Sequence, residues 1–215
     1  MSLNGDRARH YRELIFDCAE RIFAEHGFAH TRMEEIAAAA GISLRTLYLA
    51  YPGKQEIYAA IEETRVSEML ERSRSEMRGA GSPPDRLRRV VTSYVGFLAV
   101  HRNYLLMHLR QGNVWTLSLD DQIGSPELRW TEAIPGLVRI FRTGIEQGFF
   151  HPGEPELMAR MMLAVQQIQL AEWARQAAPP AADLLIEEIL LQIKRSFFIE
   201  VKAEGIAPAA LVAPA

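Results

Sequence analysis

Residues 31–48 read Thr31-Arg32-Met33-Glu34-Glu35-Ile36-Ala37-Ala38-Ala39-Ala40-Gly41-Ile42-Ser43-Leu44-Arg45-Thr46-Leu47-Tyr48, and this stretch decides the fold. Met33, Ile36 and Ala37 recur at helical spacing. Thr31 with Glu34 three residues on has the capping-box pattern, in which hydroxyl and carboxylate satisfy the first free amides of a helix. Gly41 stops that helix after four alanines. Ser43 can cap a second short helix through Ala50, which Pro52 and Gly53 terminate. Ala37 is small where two helices must cross closely, and Ile42 plugs between them. Ile36 and Leu47 face a small core shared with Ile22 and Phe23. Ser43, Leu44, Arg45, Thr46, Tyr48 and Leu49 are then left projecting from the second helix, the part that a recognition helix inserts in a major groove.

The helical period continues on both sides. Leu14, Ile15, Cys18, Ala19, Ile22 and Phe23 form one stripe before the motif, and Gly27 ends it. A longer helix follows from about Lys54 to Arg78, and the stretch from Gly79 to Pro84 is the clearest loop. Further helices are expected at about 85–100, 103–117, 126–147, 154–177 and 182–203, and no segment sustains a period-two alternation. The expectation is an all-α chain of about nine helices. A three-helix helix-turn-helix domain over 8–53 precedes a larger helical domain over 54–204 and a disordered tail over 205–215.

The chain resembles the TetR/AcrR family of transcriptional regulators. The residues that carry the likeness are Arg12, Ala19, Phe23, Gly27, Thr31, Ile36-Ala37, Ala40-Gly41-Ile42-Ser43, Thr46-Leu47-Tyr48, Tyr51 and Lys54. It covers about residues 10–60, and its run from the glycine turn through Thr-Leu-Tyr-x-x-Tyr-x-x-Lys is specific. The resemblance implies a DNA-binding domain that reads a palindromic double-stranded operator as a homodimer. Behind it would lie a helical effector-binding and dimerisation domain, in which a small molecule weakens DNA binding. By position it implies phosphate contacts for Thr31, Tyr48 and Lys54, and groove positions for Ser43 and Thr46. Leu44, Leu49 and Tyr51 complete the expected DNA-facing set. Three positions depart from the family pattern: Arg32 replaces a small hydroxyl residue, Arg45 replaces glycine or alanine, and Ala50 replaces an aromatic or histidine. Arg32 and Arg45 can restore with charge what Ala50 removes, and Arg45 can also reach a guanine edge, the commonest specific major-groove contact.

Bulk charge gives no help to this reading. The net charge is −3, with 24 basic against 27 acidic side chains. A DNA-binding role therefore depends on where charges point. A single cysteine, Cys18, excludes an internal disulfide framework and any cysteine-based zinc site, which fits a reducing cytoplasm. His101 and His108 share a helix face but lack a third ligand, so no metal and no cofactor is expected. No stretch reaches the length of a signal peptide core or a membrane span. There is no phosphate loop, nucleophile elbow or HExxH motif, so an enzyme is not expected.

In the second domain an apolar effector pocket is expected from Tyr94, Phe97, His101, Trp115, Trp130, Phe141, Met161 and Trp173. A stripe of methionine and aromatic residues is more often plain core, and Gln166, Gln167 and Gln169 read as decoration of a helix face. The last two helices are apolar around more than one side, which requires burial on two sides. Leu157, Met161 and Ile168 on one, with Leu185, Ile189, Leu190, Ile193 and Phe197 on the other, are expected to form a four-helix dimer interface. A helical protein-interaction adaptor is the rival reading. It accounts for the apolar helices and leaves the helix-turn-helix pattern without a purpose.

Overall fold

The computed structural model describes residues 5–110 and 133–199. Trp115, Trp130 and the tail over 205–215 lie outside the described residues. The elements are α1 (Gly5–His26), α2 (Met33–Ala39), α3 (Leu44–Ala50), α4 (Lys54–Arg78), α5 (Pro83–Val100), α6 (Arg102–Arg110), α7 (Ile134–Glu146), α8 (Pro155–Arg175) and α9 (Ala182–Phe197). Among the described residues the only extended pairing is one antiparallel bridge between Phe150 and Phe198. None of the described helices is long and apolar enough to cross a membrane.

The glycines behave as the sequence requires. Gly27 (φ 81°) ends α1 and Gly41 (φ 65°) makes the turn between α2 and α3, both in the left-handed region that favours glycine. The capping box does not form. Arg32, and not Thr31, occupies the N-cap of α2, and its side chain makes no capping bond. Thr31 is buried, and its hydroxyl donates to the Gly27 carbonyl at 2.9 Å. It closes the C-terminus of α1, where carbonyls would otherwise be unsatisfied.

Helix α9 also ends earlier than expected, at Phe197. The chain turns extended at Phe198, where two backbone bonds tie it to residues 149–151: His151 N–H donates to Phe197 O at 2.9 Å and Ile199 N–H to Phe149 O at 3.1 Å. An aromatic cluster locks this bridge, with Phe150 against Phe198 and against Phe141, and Phe141 against Phe197. Gly144 permits it, because a Cβ there would collide with the Phe150 ring.

Helix α4 joins the two ends of the molecule. Its first turns give Ile57, Tyr58 and Ile61 to the core of α1–α3, where Tyr58 packs edge-on against Phe23 and Phe28. Its later turns give Val66, Met69 and Leu70 to the core beneath α5. A continuous apolar core thus runs from Ile15 in α1 to Phe197 in α9, passing through the boundary drawn at residue 53.

Candidate nucleic-acid interface

Helix α3 has seven residues, too short to be stable on its own, so its neighbours must hold it. Leu47 is fully buried, and Ile42 is half-buried beneath it. The Ile42 N–H donates to the Ala37 carbonyl at 3.0 Å, which fixes α3 against α2. Ser43 caps α3 as the sequence requires: its hydroxyl oxygen accepts from the Thr46 N–H at 3.1 Å and lies 2.8 Å from the Thr46 hydroxyl. Ser43 and Thr46, expected at the groove, therefore first hold the helix end together.

What α3 shows to solvent is Arg45, Tyr48 and Leu49, the last two 49% and 55% exposed. Leu44 and Thr46 are half-buried beside them. The Arg45 side chain makes no hydrogen bond or ion pair among the described residues, and neither does that of the exposed Arg32 at the start of α2. Helix α3 contains no acidic residue. Three acidic side chains of α1 and α2 are paired with cations: Glu35 with His26 at 2.7 Å, Glu25 with Arg21 at 3.6 Å, and Glu20 with Arg65 at 2.9 Å. Against an excess of acid in the first 64 residues, α3 itself carries one arginine and no acidic side chain.

Two residues expected at phosphates are engaged inside the molecule. The Lys54 ammonium donates to the carbonyls of Phe28 (2.7 Å), Ala29 (3.3 Å) and Thr31 (3.0 Å) and sits 4.6 Å from the centre of the Phe28 ring. Its three donors hold the α1–α2 loop in the DNA-free chain. The Thr31 hydroxyl likewise closes α1 in the DNA-free chain. Tyr51 is half-buried at the C-cap of α3, and burial pushes its hydroxyl above the ordinary tyrosine range despite the nearby Arg12.

In the helical body the expected pocket residues separate. Tyr94 and Phe97 are buried on α5, and the His101 ring stacks 4.4 Å from Phe97. Burial, then Arg65 and Arg72, hold the His101 imidazole below its ordinary range, with Glu68 opposing. Phe141 belongs to the aromatic cluster around Phe150. Trp173 is buried, with its indole N–H donated to Pro180 O at 2.8 Å. Met161 is 49% exposed on the outer face of α8, which takes it out of the interior. Gln166, read as surface decoration, is buried: its amide N–H donates to Met162 O at 3.1 Å and its carbonyl oxygen has no partner among the described residues. No sequence signal marked it, because a glutamine between Met162 and Leu170 continues a face without announcing which face that is.

The dimer expectation also divides. Leu157, Met161 and Ile168 are exposed along α8, 56%, 49% and 65% respectively. Leu185, Ile189, Ile193 and Phe197 are buried in the protomer's own core, so they are corrected to core residues, and Leu190 is half-buried. The outward apolar residues of α9 are Leu184 and Leu191.

This arrangement matches known proteins. Residues 15–61 match the family model described as bacterial regulatory proteins, tetR family. The chain is 23% identical over 168 residues to the HTH-type transcriptional regulator YhgD of Bacillus subtilis, spanning 78% of this chain and 86% of that protein. It is 25% identical over 152 residues to the fatty acid metabolism regulator protein of the same organism, spanning 69% and 75%. The solved structure of the ketosteroid transcriptional regulator KstR2 of Mycobacterium tuberculosis superposes with a TM-score of 0.76 at 22% identity, covering 88% of this chain and 95% of that one. Residues 15–61 thus carry the tetR-family regulatory module, and the chain as a whole shares its fold with solved transcriptional regulators.

Proposed function

We propose that the protein is a homodimeric repressor that holds a palindromic operator through α3 and is released by a small apolar effector bound in its helical body. The carrying observation is the outward face of α3, where Arg45, Tyr48 and Leu49 are exposed on a helix without acidic residues. Arg45 serves as the base-reading residue, with Tyr48 and Arg32 toward the phosphates and Ser43, Thr46 and Leu44 setting the pitch of the helix end. Simultaneous docking of two such helices needs half-sites about 34 Å apart, which a dimer supplies.

The dimer face is the exposed apolar stripe of Leu157, Met161 and Ile168 on α8, continued by Leu184 and Leu191 on α9. A face of this kind is stable only when covered, here by the same face of a second copy. The division of labour at residue 53, reading head before and sensor behind, is one of function laid over a continuous core. Tyr94 and Phe97 on α5, His101 at its C-cap, and the Gln166 carbonyl on α8 are the groups that a ligand in the interior would meet. Relatives named for fatty acid metabolism and for ketosteroids support an apolar effector, as does the aromatic interior.

Selection of DNA from a random pool by the full-length protein tests this reading. A palindromic sequence that binds with steep salt dependence supports it. Recovery of no sequence preference would overturn it, and would leave the protein-interaction reading to account for the apolar helices.

A further inference from the structure

Helix α6 is nine residues long, so its axis spans about 13.5 Å. Polar side chains tie it at its beginning, middle and end to three other helices. At its first residue, the Arg102 guanidinium donates to Ala174 O at 2.6 Å and Gln176 O at 3.0 Å, the carbonyls at the C-terminus of α8. At its last residue, Arg110 Nε donates to Ala24 O at 2.6 Å, in the last turn of α1. In between, α6 grips α4. His108 Nδ1 lies 3.1 Å from Glu62 Oε1, and the Tyr104 hydroxyl donates to Glu62 Oε2 at 3.3 Å. Glu62, Tyr104 and His108 are all buried.

A helix C-terminus leaves carbonyls unsatisfied and carries partial negative charge, so an arginine placed there gains both hydrogen bonds and a favourable field. Helix α6 supplies one such arginine to the helix bearing the proposed dimer face and another to the first helix of the reading head. Apolar packing tolerates small slides, whereas a hydrogen bond weakens steeply when its angle changes. The buried carboxylate has a further constraint, because removing its partners leaves it unsatisfied in the interior.

We infer that α6 is a strut that fixes the reading head at a set distance from the dimer face, and that Arg102, Glu62 and Arg110 are positioning residues selecting operators by half-site spacing. None of the three touches DNA. They act by holding α1 and α4 in one register relative to α8, so that both copies of α3 meet grooves of the correct separation. The inference rests on the proposed DNA-reading role of α3.

The experiment uses the full-length dimer and a sequence selected by the wild type. Binding is measured on the complete site, on a single half-site at low salt, and on sites with one base pair inserted between the halves. Arg110→Gln changes an exposed side chain, and Tyr104→Phe removes one hydroxyl while keeping the ring, so the second variant carries the test if the first is unstable. Both should bind the half-site within about twofold of wild type, lose roughly tenfold on the complete site, and discriminate less against the inserted base pair. Equal losses on half-site and complete site would overturn the inference, as would wild-type spacing discrimination in both variants. Failure of the wild type to select any sequence would instead remove the DNA-reading role of α3.

Discussion

Helices α3 and α9 are both richer in apolar side chains than a one-sided surface helix requires, yet they bury them in opposite ways. In α3 only Leu47 is fully inside, and Tyr48 and Leu49 are left out. In α9 a strict row of Leu185, Ile189, Ile193 and Phe197, each four residues from the next, goes into the protomer's core, leaving Leu184 and Leu191 as a second, outward row. The first helix is held by a cap and one plug so that Arg45, Tyr48 and Leu49 are available to a partner. The second is anchored along its whole length and offers a partner one edge. An exposed apolar residue therefore means different things in the two places: at α3 it borders a basic face, at α9 it continues an apolar one.

The sharpest break in this comparison lies within α9. Ile189→Glu puts a carboxylate into a fully enclosed site and should cost more than about 4 kcal/mol, enough to unfold the chain. Leu191→Glu, two residues on, should leave the fold intact and shift the dimer toward monomer. Light scattering and circular dichroism together separate the two outcomes. Equal behaviour of the two variants would mean that the inner and outer rows are not distinct.

Lys54 and Arg45 extend the comparison to cations. Lys54→Ala deletes three charge-assisted bonds to the α1–α2 loop and should lower unfolding stability by about 2 kcal/mol. Arg45→Ala should change stability by less than about 0.5 kcal/mol. Urea unfolding of both variants checks this, and an unchanged stability of Lys54→Ala would mean that its bonds do not hold the loop. A smaller effect belongs to Ser43→Ala, which removes the cap of α3 and should cost about 1 kcal/mol.

The smallest effect concerns pH. His101 is held below its ordinary range in the folded chain, mainly by burial, so the folded state disfavours its protonated form. Its contribution to stability is present above the unfolded value near 6.5 and is lost as pH falls through the depressed folded value. Melting temperature should therefore decline below about pH 6.5, and less so in His101→Gln. Identical slopes for the two proteins would remove His101 from the account.

The sequence made the skeleton legible where chemistry is local. Gly27, Gly41, Ser43 and Pro52-Gly53 punctuate the chain through their own backbone preferences, so the order of helices and the helix-turn-helix could be read before any contact was known. What could not be read was set by partners distant in sequence. Thr31 and Lys54 look available in a linear motif, and only the folded loop shows their donors facing carbonyls of residues 27–31. Periodicity showed that α9 is apolar on two sides, yet it could not say which row faces inward, because that depends on α5, α7 and α8. The pairs Glu20–Arg65 and Glu62–His108 join residues 45 and 46 positions apart, beyond the reach of any spacing rule. The early end of α9 likewise came from its bridge to Phe150, a tertiary contact.

The central claim is that the outward face of α3 reads DNA through Arg45, and one measurement addresses it directly. Fluorescence anisotropy would compare wild type and Arg45→Ala on the selected operator and on every single-base variant of it, with unfolding stability measured alongside. Arg45→Ala should show unchanged stability, a loss of roughly 1–3 kcal/mol per half-site, and relaxed preference at one base position in each half. Unchanged affinity and unchanged preference at every position would contradict it, and would leave Arg45 an ordinary surface arginine.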